Sequence, residues 1–189
     1  LGAVGRSVAS ELVRSSRCEV IGAVDLAPSL MGEPLASVIP GASEQARVHG
    51  SIADAPRADI AFVATTSFIA DVEPIIVELL DAGMNVVSIA EELGFGFFDH
   101  APVANRIDAK ARECGLSVLG TGCNPGILSD TLPLLLSSLT LDVSAVRMHR
   151  TADMGGYSGI LSKFGFGLAE PEFQQRVLAG SVIGHVGFR

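Results

Sequence analysis

The sequence predicts a doubly wound α/β fold, a parallel sheet with helices on both faces, on three observations. Short β-branched apolar runs alternate with stretches whose apolar residues recur at helical spacing. The runs are apolar almost continuously, as strands buried on both faces must be. Gly83 and Gly115 fall just past the ends of two helical stretches, where a left-handed cap favours glycine.

In order along the chain, Gly2-Ala3-Val4-Gly5 is a turn that leads into a helix over 6–14. Strands are expected at Glu19 to Val24, Ile60 to Thr65, Asn85 to Ile89 and Leu116 to Gly120, with a weaker one at Arg47-Val48-His49. Helices are expected from Ala70 to Ala82 and from Val103 to Glu113. Strand alternating with helix is the pattern of crossover units on a parallel sheet.

No strand precedes the opening turn. In a doubly wound sheet the strand feeding such a turn is central, and without it two neighbouring strands keep open edges. The expectation is therefore a sheet whose first strand is missing, from a protein that begins several residues earlier. Ile183 to Arg189 shows no closing element either, so truncation is expected at both ends. After Leu139 the texture changes: Val143 to Arg150 reads as a strand, 155–167 is rich in glycine, and a helix is expected from Pro171 to Leu178. The expected division is 1–139 for the sheet domain and 140–189 for the start of an α+β second domain.

Composition excludes several classes. The chain has 189 residues, 48% hydrophobic and 18% charged, enough to bury a sizeable core. Apolar runs such as Ile60 to Ala64 are far shorter than the roughly 20 residues that cross a bilayer, so no membrane role is expected. A net charge of −8 with 13 scattered basic residues argues against nucleic acid as a partner. The 3 cysteines, Cys18, Cys114 and Cys123, suit neither a disulfide framework nor a zinc site. A reducing cytoplasm is the default compartment, no metal is expected, and a homo-oligomer is left open.

The chemistry is expected at the carboxyl ends of the strands, where open α/β sheets bind ligands. Gly2, Val4 and Gly5 belong to the last part of a G-x-G-x-x-G turn, which lets a helix N-terminus meet a pyrophosphate. Asp25 lies about 20 residues on, at the separation that sets a carboxylate on ribose hydroxyls. Together they predict a dinucleotide-binding sheet of the Rossmann type. Thr65 and Thr66 end the next strand and can reach cofactor phosphate or ribose, although a hydroxyl there also caps the following helix. Glu91 and Glu92 close a further strand, where they serve either a cationic substrate and proton transfer or simply a helix start. Gly120-Thr121-Gly122-Cys123-Asn124-Pro125-Gly126 follows the last strand and presents backbone N–H groups, with Gly122 and Asn124 as cofactor contacts. Cys123 has no histidine near it in sequence, so packing is favoured over nucleophilic chemistry.

The segment Gly120 to Asp130 with Leu132-Pro133, the runs Asn85-Val86-Val87-Ser88 and Glu91-Glu92-Leu93, and Gly165, Gly167-Leu168 and Glu172-Phe173 resemble the 2,4-diaminopentanoate dehydrogenase group. That group sits among the dihydrodipicolinate-reductase-like NAD(P)-binding oxidoreductases. The resemblance covers nearly the whole chain. It implies an amine dehydrogenase that oxidatively deaminates a short amino or diamino acid with NAD or NADP. It assigns Gly2, Gly5 and Asp25 to the dinucleotide and sets Glu92, Asn124, Arg150, Asp153 and Lys163 near the substrate. Lys163 and Glu92 are the expected catalytic residues, with Arg150 and Asp153 binding substrate. Lys163 lies among apolar neighbours that would desolvate its amine and fit it as a base. Arg150, whose fork suits bidentate pairing, is better matched to a carboxylate. The chain departs from the pattern at Leu161, where a polar residue is usual, and in the small-residue stretch 154–159. His149 stands without the adjacent histidine of a true dihydrodipicolinate reductase. Asp25 favours NAD, since a carboxylate repels a 2′-phosphate. The alternatives are another Rossmann dehydrogenase acting on an amino acid or semialdehyde, and a non-catalytic dinucleotide-binding sensor.

Overall fold

A computed structural model describes the chain except at residues 16, 152, 154–160, 162, 183, 185 and 187–189. The small-residue stretch 154–159 lies outside the described residues, as does most of 183–189. The chain divides into two compact units, Leu1–Gly122 and Cys123–Arg189.

The first unit is the doubly wound α/β sheet of Rossmann type. Helix α1 (Ala3–Arg14) leads to β1 (Gly22–Val24), a short 3-10 turn (Leu35–Ser37) and β2 (Arg47–His49). There follow β3 (Ile60–Val63), α2 (Ile69–Asp81), β4 (Asn85–Ser88), the short α3 (Glu91–Gly94) and α4 (Gly96–Asp99), α5 (Ala101–Cys114) and β5 (Val118–Gly120). All pairing between strands is parallel, in two pieces, β1–β2 and β3–β4–β5. β1 and β3 each pair on one side, and Val24 and Ile60 on them are exposed.

Two apolar clusters explain why these segments fold as they do. Ile69, Val72, Ile76, Leu79 and Leu80 of α2, with Ala104, Ile107 and Ala111 of α5, cover Val63 and Val86 of the β3–β4–β5 sheet. Leu35, Ile39 and Val48 form a second cluster, against which Ala9 and Val13 of α1 pack. Val20 packs on that second cluster without joining the ladder, and Leu116 does the same on the first. This is why the paired strands are shorter than the apolar runs: burial and pairing need not coincide.

The two glycine caps are as expected. Gly83 has φ 81° and Gly115 φ 66°, and the next residues bond back, Met84 N–H to the Leu79 carbonyl at 3.0 Å and Leu116 N–H to that of Ala111 at 2.9 Å. Each closes a helix end whose last carbonyls need partners.

Ion pairs cross the α2–α5 seam. Arg106 forks onto Glu73 at 2.6 and 2.7 Å, and Lys110 meets Asp81 at 2.7 Å. The hydrogen bonds from Arg106 hold the Glu73 carboxyl below its ordinary 4.5, and the bond to Asp81 raises Lys110 above its ordinary 10.5. The signs follow from linkage. The depressed carboxyl stabilises the fold above about pH 4.5 and loses that contribution as pH falls through its folded value. The raised amine stabilises below about pH 10.5 and loses its contribution as pH rises through its folded value. Glu73→Gln should therefore lower the thermal midpoint at pH 7, with the difference from the parent closing below about pH 4.5 in melts across pH. The shift should be small, since the pair is exposed.

The second unit holds a π-helical turn (Ile127–Thr131), α6 (Leu132–Ser137) and α7 (Glu170–Leu178). The helix expected from Pro171 is α7, one residue longer and with its proline in the first turn. The strand expected over 143–150 does not form: these residues are exposed and make no strand pairing. A strand needs lateral partners for its N–H and C=O groups, and no strand is present among the described residues of this unit. Cys123 is exposed rather than packed, whereas Cys114, the last residue of α5, packs against the first cluster.

Candidate functional site

The glycine turn, Asp25 and the end of β3 come together. Gly2 is the N-cap of α1, in extended conformation, and no side chain caps the helix and no acid occupies its first turn. The unpaired N–H groups and the positive end of the helix dipole therefore stay available to an anion. A Cβ on Gly2 would meet nothing within 4 Å, so the space over the turn is open. Val4 is exposed on the first turn. The Asp25 carboxylate lies against the backbone nitrogen of Leu1 and accepts the Ala27 N–H at 2.8 Å. Gly5 approaches the strand end, where an added Cβ would lie 3.8 Å from that of Ala64. That is an ordinary contact, so helix–strand packing here is looser than the glycine pattern leads one to expect. Arg6, which the sequence reading passed over, donates its Nε–H to the Leu1 carbonyl at 2.8 Å, a cation beside the open helix end. Its only sequence signal is its place directly after Gly5.

The loop leaving β3 is tied down by acids from α3. Thr65 is exposed, while Thr66 Oγ1 accepts the Phe68 N–H at 3.3 Å and donates to Asp71 at 3.4 Å, a local turn at the start of α2. Ser67 donates its hydroxyl to Glu91 Oε1 at 3.2 Å. Glu92 Oε2 accepts the Ile69 N–H, the first amide of α2, at 3.0 Å, and Glu92 Oε1 lies 3.4 Å from His100 Nε2. The Glu92 side chain is only 9% exposed. The negative end of Glu92 thus sits on the positive end of α2, a favourable placement. His100, just before α5, is a second residue missed from sequence; a histidine thirty-odd positions from the β3 loop gives no local signal of this contact.

The exit of β5 is crowded. The Thr121 N–H extends the ladder to the Ser88 carbonyl at 2.9 Å, and Ser88 is fully buried. Gly120 must be glycine, since a Cβ there would lie 2.6 Å from the Leu93 carbonyl oxygen of α3. Gly122 ends the first unit.

In the second unit Asn124 is buried, Ser129 Oγ–H donates to its Oδ1, and its Nδ2 has no partner among the described residues. The Gly126 N–H is held by Asp130 Oδ2 at 2.5 Å. Arg150, Asp153 and Lys163 are exposed. The desolvation expected of Lys163 is therefore not present, because its apolar sequence neighbours do not enclose the amine.

Residues 127–189 match the family described as the 2,4-diaminopentanoate dehydrogenase C-terminal domain. A 2,4-diaminopentanoate dehydrogenase of Acetoanaerobium sticklandii is 29% identical over 194 aligned positions, covering 100% of this chain. The chain is thus similar to a 2,4-diaminopentanoate dehydrogenase along its whole length. It spans 55% of the length of that curated relative. The fold is shared with an amine dehydrogenase from Mycobacterium smegmatis, with a TM-score of 0.66 and 23% identity over 72% of this chain and 41% of the other.

Among the described residues no helix is long and apolar enough to cross a membrane. No three His, Cys, Asp or Glu side chains among them converge as a metal site.

Proposed function

We propose that this chain supplies the cofactor-binding sheet and part of the substrate side of an NAD(P)-dependent amine dehydrogenase acting on a short amino or diamino acid. The observation that carries the reading is the Asp25 carboxylate at the mouth of an uncapped, sterically open α1 N-terminus. An open helix end takes a diphosphate, and a carboxylate beside it takes a ribose diol. Gly2, Val4, Gly5, Arg6 and Asp25 bind the dinucleotide in this reading, with Thr65, Thr66, Gly122 and Asn124 as further contacts. When bound, the cofactor supplies the hydride chemistry. The chain supplies position and charge: Glu92 offers a carboxylate to a substrate ammonium, Arg150 and Asp153 hold polar groups of the substrate, and Lys163 moves a proton. Unpaired Cys18, Cys114 and Cys123 favour a reducing compartment such as the cytoplasm.

The test is cofactor-coupled turnover by the full-length protein with short amines, amino acids and semialdehydes. Amine-dependent reduction of NAD is the expected result, and its absence across the panel overturns the reading. Asp25 should favour NAD, because it meets a 2′-phosphate with like charge. Titration should give tighter NADH than NADPH binding, and Asp25→Ser should narrow or invert the ratio by about tenfold, equivalent to about 1.4 kcal/mol. Tighter NADPH binding by the parent protein would remove Asp25 from this role.

A further inference from the structure

Two adjacent acids, Glu91 and Glu92, open α3, and the reading above gives a substrate role to one of them. Ser67, in the loop that leaves β3, treats the two differently. Its carbonyl accepts the Glu92 N–H at 3.0 Å, while its hydroxyl donates to Glu91 Oε1 at 3.2 Å. The direction of the second bond follows from the partner, because an ionised carboxylate only accepts. Backbone and side chain of one serine thus grip two successive residues of α3.

That helix needs the grip. It is a single turn of 4 residues, too short to be stable by itself. Its entry is set by the buried Ser88, whose hydroxyl accepts the Ala90 N–H at 3.1 Å. Its exit lies against Gly120, where a Cβ would come within 2.6 Å of the Leu93 carbonyl oxygen. Between these two points the rotation of the turn about its own axis decides where each carboxylate goes. The bonds from Ser67 send Glu91 to the β3 loop, and Glu92 meets the Ile69 N–H through Oε2 at 3.0 Å. Ile69 lies two residues after Ser67, so 67–69 and 91–92 close a ring of bonds contained wholly in the first unit.

We propose that Ser67 is a positioning residue for amine recognition: its hydroxyl engages Glu91 and sets the turn of α3 so that Glu92 is the carboxylate offered to the substrate ammonium. The inference rests on the functional reading given above. Without the hydroxyl, Glu91 keeps its charge and loses this donor, and α3 is held less firmly at its first residue. An ammonium then meets a carboxylate whose position it must order on binding, at a cost in affinity. The dinucleotide is affected little, since Gly2, Gly5 and Asp25 lie at the ends of α1 and β1, which these bonds do not involve. Thr66 keeps its own anchors on Phe68 and Asp71.

The experiment measures amine KM, cofactor KM, kcat and thermal midpoint of the full-length protein with NAD and alanine, 2,4-diaminobutanoate or ornithine, for Ser67→Ala, Ser67→Thr, Glu91→Ala and the double alanine variant. Ser67→Ala and Glu91→Ala should each raise the amine KM about fivefold, the scale of one lost hydrogen bond, with kcat and cofactor KM within about twofold of the parent. Ser67→Thr, which keeps the hydroxyl, should bring the amine KM back to within about twofold of the parent. The double variant should lose no more than either single one, since both remove the same bond. A lowered midpoint with parent-like amine KM, equal losses in amine and cofactor KM, failure of threonine to rescue, or additive losses would each overturn the proposal. A parent protein that turns over none of the three substrates overturns the functional reading, and this inference with it; one whose amine KM is indifferent to Ser67 overturns this inference alone.

Discussion

Replacing Glu92 by glutamine is expected to lower kcat/KM for the amine by about 10²–10⁴ while leaving the fold nearly as stable as before. The two effects separate because the side chain has two jobs. Its Oε2 caps α2 through the Ile69 N–H at 3.0 Å, and the amide oxygen of glutamine can accept that bond equally well. What glutamine cannot supply is the negative charge that favours a cationic amine in the proposed site. Glu92→Ala removes both, and should add a loss of about 1 kcal/mol for the missing cap. Steady-state kinetics beside thermal melts of both variants read the separation. A Glu92→Gln protein with parent kcat/KM would leave Glu92 as a helix cap alone.

Gly120→Ala should damage fold and site together. The added Cβ would sit 2.6 Å from the Leu93 carbonyl oxygen and 2.7 Å from its carbon, and both belong to backbone that cannot rotate away. Either the end of β5 or the whole of α3 must move, at a cost of about 1–3 kcal/mol typical of overpacking. Because α3 carries Glu91 and Glu92, a shift there also disturbs the loop that leaves β3. Gly5→Ala is the control: its Cβ would meet that of Ala64 at 3.8 Å, so no comparable loss is expected. Equal thermal midpoints for Gly120→Ala and the parent would show that the contact is softer than its geometry implies.

The contrast between these two glycines shows what a sequence discloses. The alternation of apolar runs with helical stretches located all five strands of the first unit, since pairing and burial there follow local periodicity. Strand ends were read too long where Val20 and Leu116 are buried for packing alone. The 143–150 segment has the alternation of a strand but pairs with no strand among the described residues, and pairing is a property of two segments at once. The turn at Gly2, the carboxylate of Asp25 and the acids at 91 and 92 were legible because each lies at a strand end or helix start fixed by local pattern. His100 and Ser129 were not. Each matters only through a partner, Glu92 or Asn124, and the contact exists because a particular turn of the backbone delivers it. The exposure of Lys163 was hidden for a related reason, since apolar neighbours in sequence need not be neighbours in space.

The bond between Glu92 and the first amide of α2 also sets the terms on which this scaffold can be retuned. A designer seeking to accept a neutral or anionic substrate would turn first to the acid and replace it with something small or basic. On this scaffold such an exchange uncaps a helix whose first residue, Ile69, anchors the larger apolar cluster. Selectivity and robustness are thereby coupled at one position, and a library randomised at Glu92 should return mostly glutamine among its well-folded members. Diversity directed instead at the exposed side chain of Arg150 leaves that cap in place, which makes it the more economical starting point for altering substrate range.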